Sequence, residues 1–397
     1  MVHRINRGSA RPLSGMLLAA ACLLVACGGG GDSPGTEAAS SYTEGEVTGY
    51  GSIVVNDVRY DDRAAAVLDE DGRAGRRSDV KIGMWVEIEG ADVDRSRGVG
   101  RALRVNWANT FVGPVSAVDA AAGTFELFGQ TIEVRPATQF EGLPAGLADV
   151  EIAQVLQVHG FFNAATSRYV ATRVESDDDA LVYRLRGIVS ELDTTGKTFR
   201  LGTETIDYAA ADPGVSDLSN GLRVRVRLQT VRNASGAWVA TAVKHGVREP
   251  SRERLESEVE GSVTSLTSAT SFEVNGMPVD ASTAIFRDGP VVLGDRVEVK
   301  GNMENGVLHA ALVTKEDDDD DRTDRHELHG TVVSVNATDS TFVLRHEVHG
   351  DITVSYERVL DFRGGTVARI VPGAALEVRG RLMLGGVLQA VRIKFED

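Results

Sequence analysis

One phrase recurs five times along this chain: Gly-x-Val, a run of β-branched residues, a closing strand phrase, and Ala followed three residues later by Val or Ile. The opening glycines are Gly45, Gly113, Gly187, Gly261 and Gly330. They recur at intervals of roughly 70 residues, the period of an array of small repeated domains. This constrains the fold more than any local propensity, because each unit must build a core from the same few strands.

The fourth phrase of each unit alternates strictly. It reads Val86-Glu-Ile88-Glu-Gly90, Leu156-Gln-Val158-His-Gly160, Val224-Arg-Val226-Arg-Leu228, Val297-Glu-Val299-Lys-Gly301 and Leu376-Glu-Val378-Arg-Gly380. Apolar residues at every second position with charges between them make half-buried strands. Asn56-Asp57 and Asn275-Gly276 suit the tight hairpin turn in which both residues take positive φ. Phe125, Phe199, Phe272 and Phe342, with Ile53 in the first unit, occupy one position before that hairpin and read as core plugs. In Ala102-x-x-Val105 and its four counterparts a spacing of three cannot keep both residues on one face of a regular strand. A bulge, or a strand buried on both sides, is implied. The recurring Gly90, Gly160, Gly301 and Gly380 imply positive φ or a close backbone approach.

The fold class that follows is all-β: a tandem array of five small, five-stranded, OB-like barrels, with closure removing free edges. The units fall at 44–108, 109–179, 180–246, 256–315 and 326–397. Polar linkers at 247–255 and 316–325, the second containing Asp317 to Asp321, suggest beads on a semi-flexible string.

Residues 1–26 read as an export signal: Arg4, Arg7 and Arg11 without an acid, then an apolar stretch from Met16 to Ala26. That stretch is too short to remain as a spanning helix. Leu24-Val-Ala-Cys27 resembles the bacterial lipoprotein box, which implies diacylation of the Cys27 thiol. Gly28 after it implies sorting to the outer membrane of a Gram-negative-type envelope, on its periplasmic side or surface. Residues 27–43, opening Gly28-Gly-Gly-Gly31, read as a flexible tether. The formal charge of −16 repels phosphate backbones and argues against nucleic acid as a partner. The expected partners are the membrane, through Cys27, and a protein or glycan ligand.

Gly49-Tyr-Gly-Ser-Ile-Val-Val-Asn-Asp-Val58 with Lys81-Ile-Gly-Met-Trp-Val-Glu-Ile-Glu-Gly90 resembles domain-of-unknown-function family 5666. Phe272-Glu-Val-Asn-Gly-Met-Pro-Val-Asp280 with Leu293-Gly-Asp-Arg-Val-Glu-Val-Lys-Gly301 resembles it again. The resemblance is strongest in repeats one and four and weakest in three, where Leu228 replaces the closing glycine. It implies exported lipoproteins built of small β-barrels and carries no activity.

No Walker loop or His-Glu-x-x-His occurs, and the one Gly-x-Ser-x-Gly, Gly31 to Gly35, falls within the tether and not on a strand-to-helix turn, so no enzyme is read here and no cofactor is required. A hydrolase acting on an exported polymer is the remaining catalytic alternative, since paired carboxylates leave no sequence signature. Arg223, Arg225 and Arg227 share a strand face and offer two readings: a ladder for acidic groups, or a solvated face balanced by the chain's own acids. Repeat five gathers four of the chain's eight histidines. With Leu328 to Val335 paired to Thr341 to Val348 and Val335 opposite Thr341, His329 faces Glu347 and Glu327 faces His349. Glu327, His329, Glu347 and His349 would then form a divalent-metal site, with zinc the natural candidate.

The lipidation expectation is tested directly. Cys27→Ala should abolish lipid labelling and membrane retention of the expressed chain; a labelled, membrane-bound variant would overturn it.

Overall fold

The computed structural model describes residues 39–396, apart from 92, 95, 214, 247–255 and 317–324. The signal segment, Cys27 and most of the tether and charged linkers lie outside these residues. The first strand begins at Ser41, inside the segment read as tether.

Repeat one shows the common plan. Its strands are β1 (Ser41–Tyr50), β2 (Ile53–Val55), β3 (Val58–Asp61), β4 (Ala66–Leu68), β5 (Trp85–Gly90) and β6 (Val99–Trp107). β1, β2 and β3 form an antiparallel meander, β3 and then β4 run parallel to β6, β6 returns to β5, and β5 closes on β1. The third strand is broken between β3 and β4, so the ring is five-stranded, in the order expected of an OB-like barrel.

The same ring closes in the other repeats. Repeat two uses β7 (Phe111–Asp119), β8 (Thr124–Leu127), β9 (Gln130–Glu141), β10 (Val155–Asn163) and β11 (Arg168–Ser176). Repeat three uses β12 (Tyr183–Asp193), β13 (Thr198–Leu201), β14 (Glu204–Asp207), β15 (Asp212–Pro213), β16 (Arg223–Arg232) and β17 (Trp238–His245). Repeat four uses β18 (Glu256–Ser268), β19 (Ser271–Val274), β20 (Met277–Asp280), β21 (Ile285–Arg287), β22 (Arg296–Glu304) and β23 (Val307–Lys315). Repeat five uses β24 (His326–Asn336), β25 (Thr341–His346), β26 (Gly350–Ser355), β27 (Asp361–Arg363), β28 (Ala375–Leu382) and β29 (Leu388–Glu396). Single 3₁₀ turns, as at Arg77–Asp79, precede the fourth strand in repeats one, two and five.

The Ala-x-x-Val spacing is resolved as a bulge in every barrel. The register slips as Gly90 pairs with Ala102, Gly160 with Ala171, Leu228 with Ala240, Gly301 with Ala310 and Gly380 with Ala390. One extra residue after the alanine lets both Ala and the following Val or Ile point inward, and all ten are buried. The bulge pushes the preceding carbonyl toward the facing glycine. A Cβ on Gly90 would stand 2.9 Å from the Arg101 oxygen, and on Gly301 or Gly380 closer still to the oxygens of His309 or Gln389. Close approach, and not positive φ, is therefore what these glycines serve. At the hairpin, Asn56 and Asp57 have φ of 50° and 58°, and Asn275 and Gly276 have 51° and 88°. The five plugs, Ile53 and the four phenylalanines, are buried.

The string of beads is corrected. The described residues form one compact unit, because the barrels share strand edges and cores. β1 runs parallel to β18 from Ser41/Glu256 to Glu44/Val259, and parallel to β24 at Gly49/Glu327 and Tyr50/Leu328. Tyr42 sits in the core of repeat four, and Tyr50 and Ile82 pack with that of repeat five. Repeats two and three share one continuous core, in which Phe128 meets the Trp238 ring edge-on at 5.3 Å. At the junction of repeats one and two the bulged Thr172 donates to the Gly83 carbonyl at 2.6 Å, and Arg173 donates to that of Ile82 at 3.0 Å.

Gly301→Ala should lower the unfolding free energy by about 1–3 kcal/mol, because backbone must move to admit the methyl group. Gly187→Ala meets Leu201 only at 3.4 Å and should change stability by less than about 0.5 kcal/mol. Urea unfolding of the two full-length variants measures the difference.

Candidate functional site

The metal-site residues of repeat five are separated by barrel closure. Strand one of such a ring must change partner halfway, from strand two to strand four. β24 pairs with β25 only from Asn336 back to Thr331, with Val335 facing Phe342 instead of Thr341 and a bulge between Val332 and Ser334. From Thr331 back to His326 its partner is β28, which sets His329 opposite Glu377 and Glu327 opposite Arg379. β25 ends at His346, so Glu347 and His349 lie in the turn to β26 and not across from His329 and Glu327. Glu347 is exposed. The His349 ring stacks on Tyr50 at 3.7 Å, and burial pushes its pKa down to about 3. His346 Nδ1 accepts the Val348 and His349 backbone N–H groups at 3.2 and 3.1 Å.

The group that does assemble is Glu327, His329 and Glu377, with one ligating atom of each within 4.8 Å of the others. Cationic side chains already fill it. Arg59 from repeat one and Arg379 both pair with Glu327, while Lys394 pairs with Glu377 at 2.7 Å. His329 bonds Glu327 through Nε2 at 2.8 Å and lies 3.2 Å from Glu396 through Nδ1. Burial disfavours charge on Glu327, but the His329 bond, Arg379 and Arg59 outweigh it and bring the pKa down to about 2. This is a charge-balanced seam between repeats one and five. Arg59, Glu377, Arg379 and Lys394 were missed in the sequence; pairing strand one with strand four would have placed Glu377 opposite His329.

The arginine row of repeat three gathers more chemistry than its sequence showed. In β16 Arg227 faces Arg184 of β12 and Arg225 faces Arg186, while Lys244 of β17 flanks Arg225. Six cations, with Arg223 at the end, thus share the outer face of strands one, four and five. The balancing acids come from another barrel. The tip after β4 of repeat one lays Glu70 and Asp71 on the row. Arg184 pairs with Glu70 and reaches Asp71 at 3.1 Å; Arg186 lies 3.6 Å from Glu70, and Lys244 lies 3.6 Å from Asp71. Asp69 shapes that tip by accepting the Asp71 and Arg73 backbone N–H groups. Burial opposes the Asp71 charge, yet Arg184, Arg227 and Lys244 prevail and hold its carboxyl below the ordinary range.

Beyond this contact the row opens into a groove of about 1040 Å³ between repeats three and four. Arg223, Arg225 and Lys244 form one wall; Thr264, Ser265 and Asn305 contribute to the other. Among the described residues no carboxylate lies within ion-pair distance of Arg223 or Arg227.

The family model described as Domain of unknown function (DUF5666) matches residues 112–175, 260–314 and 329–394, within repeats two, four and five. Repeat one, where the sequence resemblance was placed among the strongest, lies outside these segments. No curated protein matches the chain. Among solved structures it is similar to Drosophila Unr CSD456, at 16% identity and a TM-score of 0.14 over 55% of this chain and 98% of that one.

Glu327→Gln leaves Arg59 and Arg379 without their shared anion and should cost roughly 3–5 kcal/mol in urea unfolding. In the parent the Glu327 contribution is complete above the ordinary carboxylate pKa of 4.5 and is lost as pH falls toward about 2. The variant should therefore lose less stability than the parent across that window.

Proposed function

We propose, from the match of repeats two, four and five to the family of domain of unknown function 5666, that the chain is a non-catalytic cell-envelope lipoprotein whose joined OB-like barrels present a binding surface to an envelope ligand. The envelope assignment is supported by the basic, acid-free start and the Leu24-Val-Ala-Cys27 box. The binding role rests on one observation, the groove between repeats three and four. It has the size of a ligand site, and its walls offer guanidinium, ammonium, hydroxyl and amide groups. These groups hold a ligand by hydrogen bonds and charge. A hydrolase would need a nucleophile or an acid and base converging on one atom, and among the described residues Glu273 is the single carboxylate on these walls.

The metal reading is supported by the gathering of Glu327, His329 and Glu377. It is opposed by Arg59, Arg379 and Lys394, each of which an incoming cation would have to displace. The groove is the stronger basis.

Purified full-length chain, incubated with peptidoglycan, lipopolysaccharide and acidic capsular polymer, should co-sediment with at least one of them and leave its length unchanged. Shortening of the polymer would overturn the non-catalytic reading. Binding to none would overturn the binding role.

A further inference from the structure

The basic row contains its own demonstration of what it binds. At its inner end two carboxylates, Glu70 and Asp71, are seated on Arg184, Arg186 and Lys244. These acids belong to a different barrel, so the contact is a docking event within one chain. At its outer end the same strand face continues through Arg225 to Arg223, which line the open groove. Alternate residues of one strand point the same way, so the face offers inner and outer cations in one direction. Resting on the binding role above, we propose that the groove between repeats three and four binds an acidic oligosaccharide, with a uronate carboxylate on Arg223.

Three observations carry this. A guanidinium presents several N–H donors to a carboxylate, and Arg184 in this row already divides its own between Glu70 and Asp71. Charge complementarity is local: the chain as a whole carries −16, so a cationic face in it selects an anion at short range while the rest of the surface repels long polyanions. Across the groove stand Thr264, Ser265 and Asn305, whose hydroxyl and amide groups can exchange hydrogen bonds with sugar hydroxyls. Ile188 and Val307 give apolar ground for the carbon face of a ring. The repeat-three wall lies on strands one, four and five, while repeat four adds Glu273 and Pro278 from its second and third strands, the face usual for OB-fold ligands.

Isothermal titration of the full chain with a galacturonate tetramer is the direct test, beside a galactose tetramer of equal length and a tetraglutamate. The uronate should bind and the neutral sugar should not. Arg223→Glu should weaken uronate binding about tenfold or more, as expected for losing a charged hydrogen bond and adding repulsion. Arg363→Glu makes the same charge change at an exposed site on repeat five and should alter affinity less than twofold. Equal loss in both variants would reduce the effect to overall charge and overturn the site. Tetraglutamate binding as tightly as the uronate would overturn the sugar assignment in favour of an acidic peptide. Neutral sugar binding that Arg223→Glu leaves intact would sink the anion claim while the binding role survives. A chain that co-sediments with an envelope polymer yet ignores all three tetramers would likewise retain the binding role and lose this proposal.

Discussion

An OB-like ring closes its strands but leaves half of strand one bare on each side, because that strand spends its length on two partners in turn. The rest of this molecule depends on how those half-edges are covered. The first half of β1 pairs with β5 on one side and β18 on the other, and its end pairs with β2 and β24. In repeats two and three β7 and β12 meet at Val112 and Arg184. Unpaired strand edges are templates for association. Here they are satisfied within the chain, and the barrels are fixed to one another by main-chain hydrogen bonds.

The seam among repeats one, four and five carries buried charge as well. Arg296 pairs with Glu260 and lies 3.5 Å from Glu46, which also pairs with Arg325. Burial, stronger than the nearby Arg296, raises the Glu260 pKa. Removing such groups from water is costly, and one charge without its partner is strongly unfavourable. A shift of β18 along β1 would strand these residues, so the ions act chiefly on register. Backbone contact adds a second lock: a Cβ on Gly49 would collide with the Glu327 carbonyl.

The same logic of pairing between barrels accounts for both charged features of the surface. Glu327 is held by Arg59 and Glu70 by Arg184, in each case across two repeats. Arg59 and Arg184 thus sit at seams between barrels. At the end of the row, by Arg223, the seam widens into the groove.

The sequence alone determined the barrel: its period, five strands, inward plugs and hairpin turns, while for Ala-x-x-Val it left a bulge and a doubly buried strand both open. These are legible because they are local patterns repeated five times, each fixed by alternation, turn chemistry or volume. Only tertiary structure decided what faced what between repeats. His349 turned away from His329 because ring closure gives the first half of β24 to β28. Glu377 and Arg59 arrived beside Glu327 from a distant strand and a different barrel. The balance of the arginine row came from Glu70 and Asp71, more than 100 residues away in sequence. Pairings of that kind leave no periodicity to read, because they depend on which edges remain open once each barrel has closed.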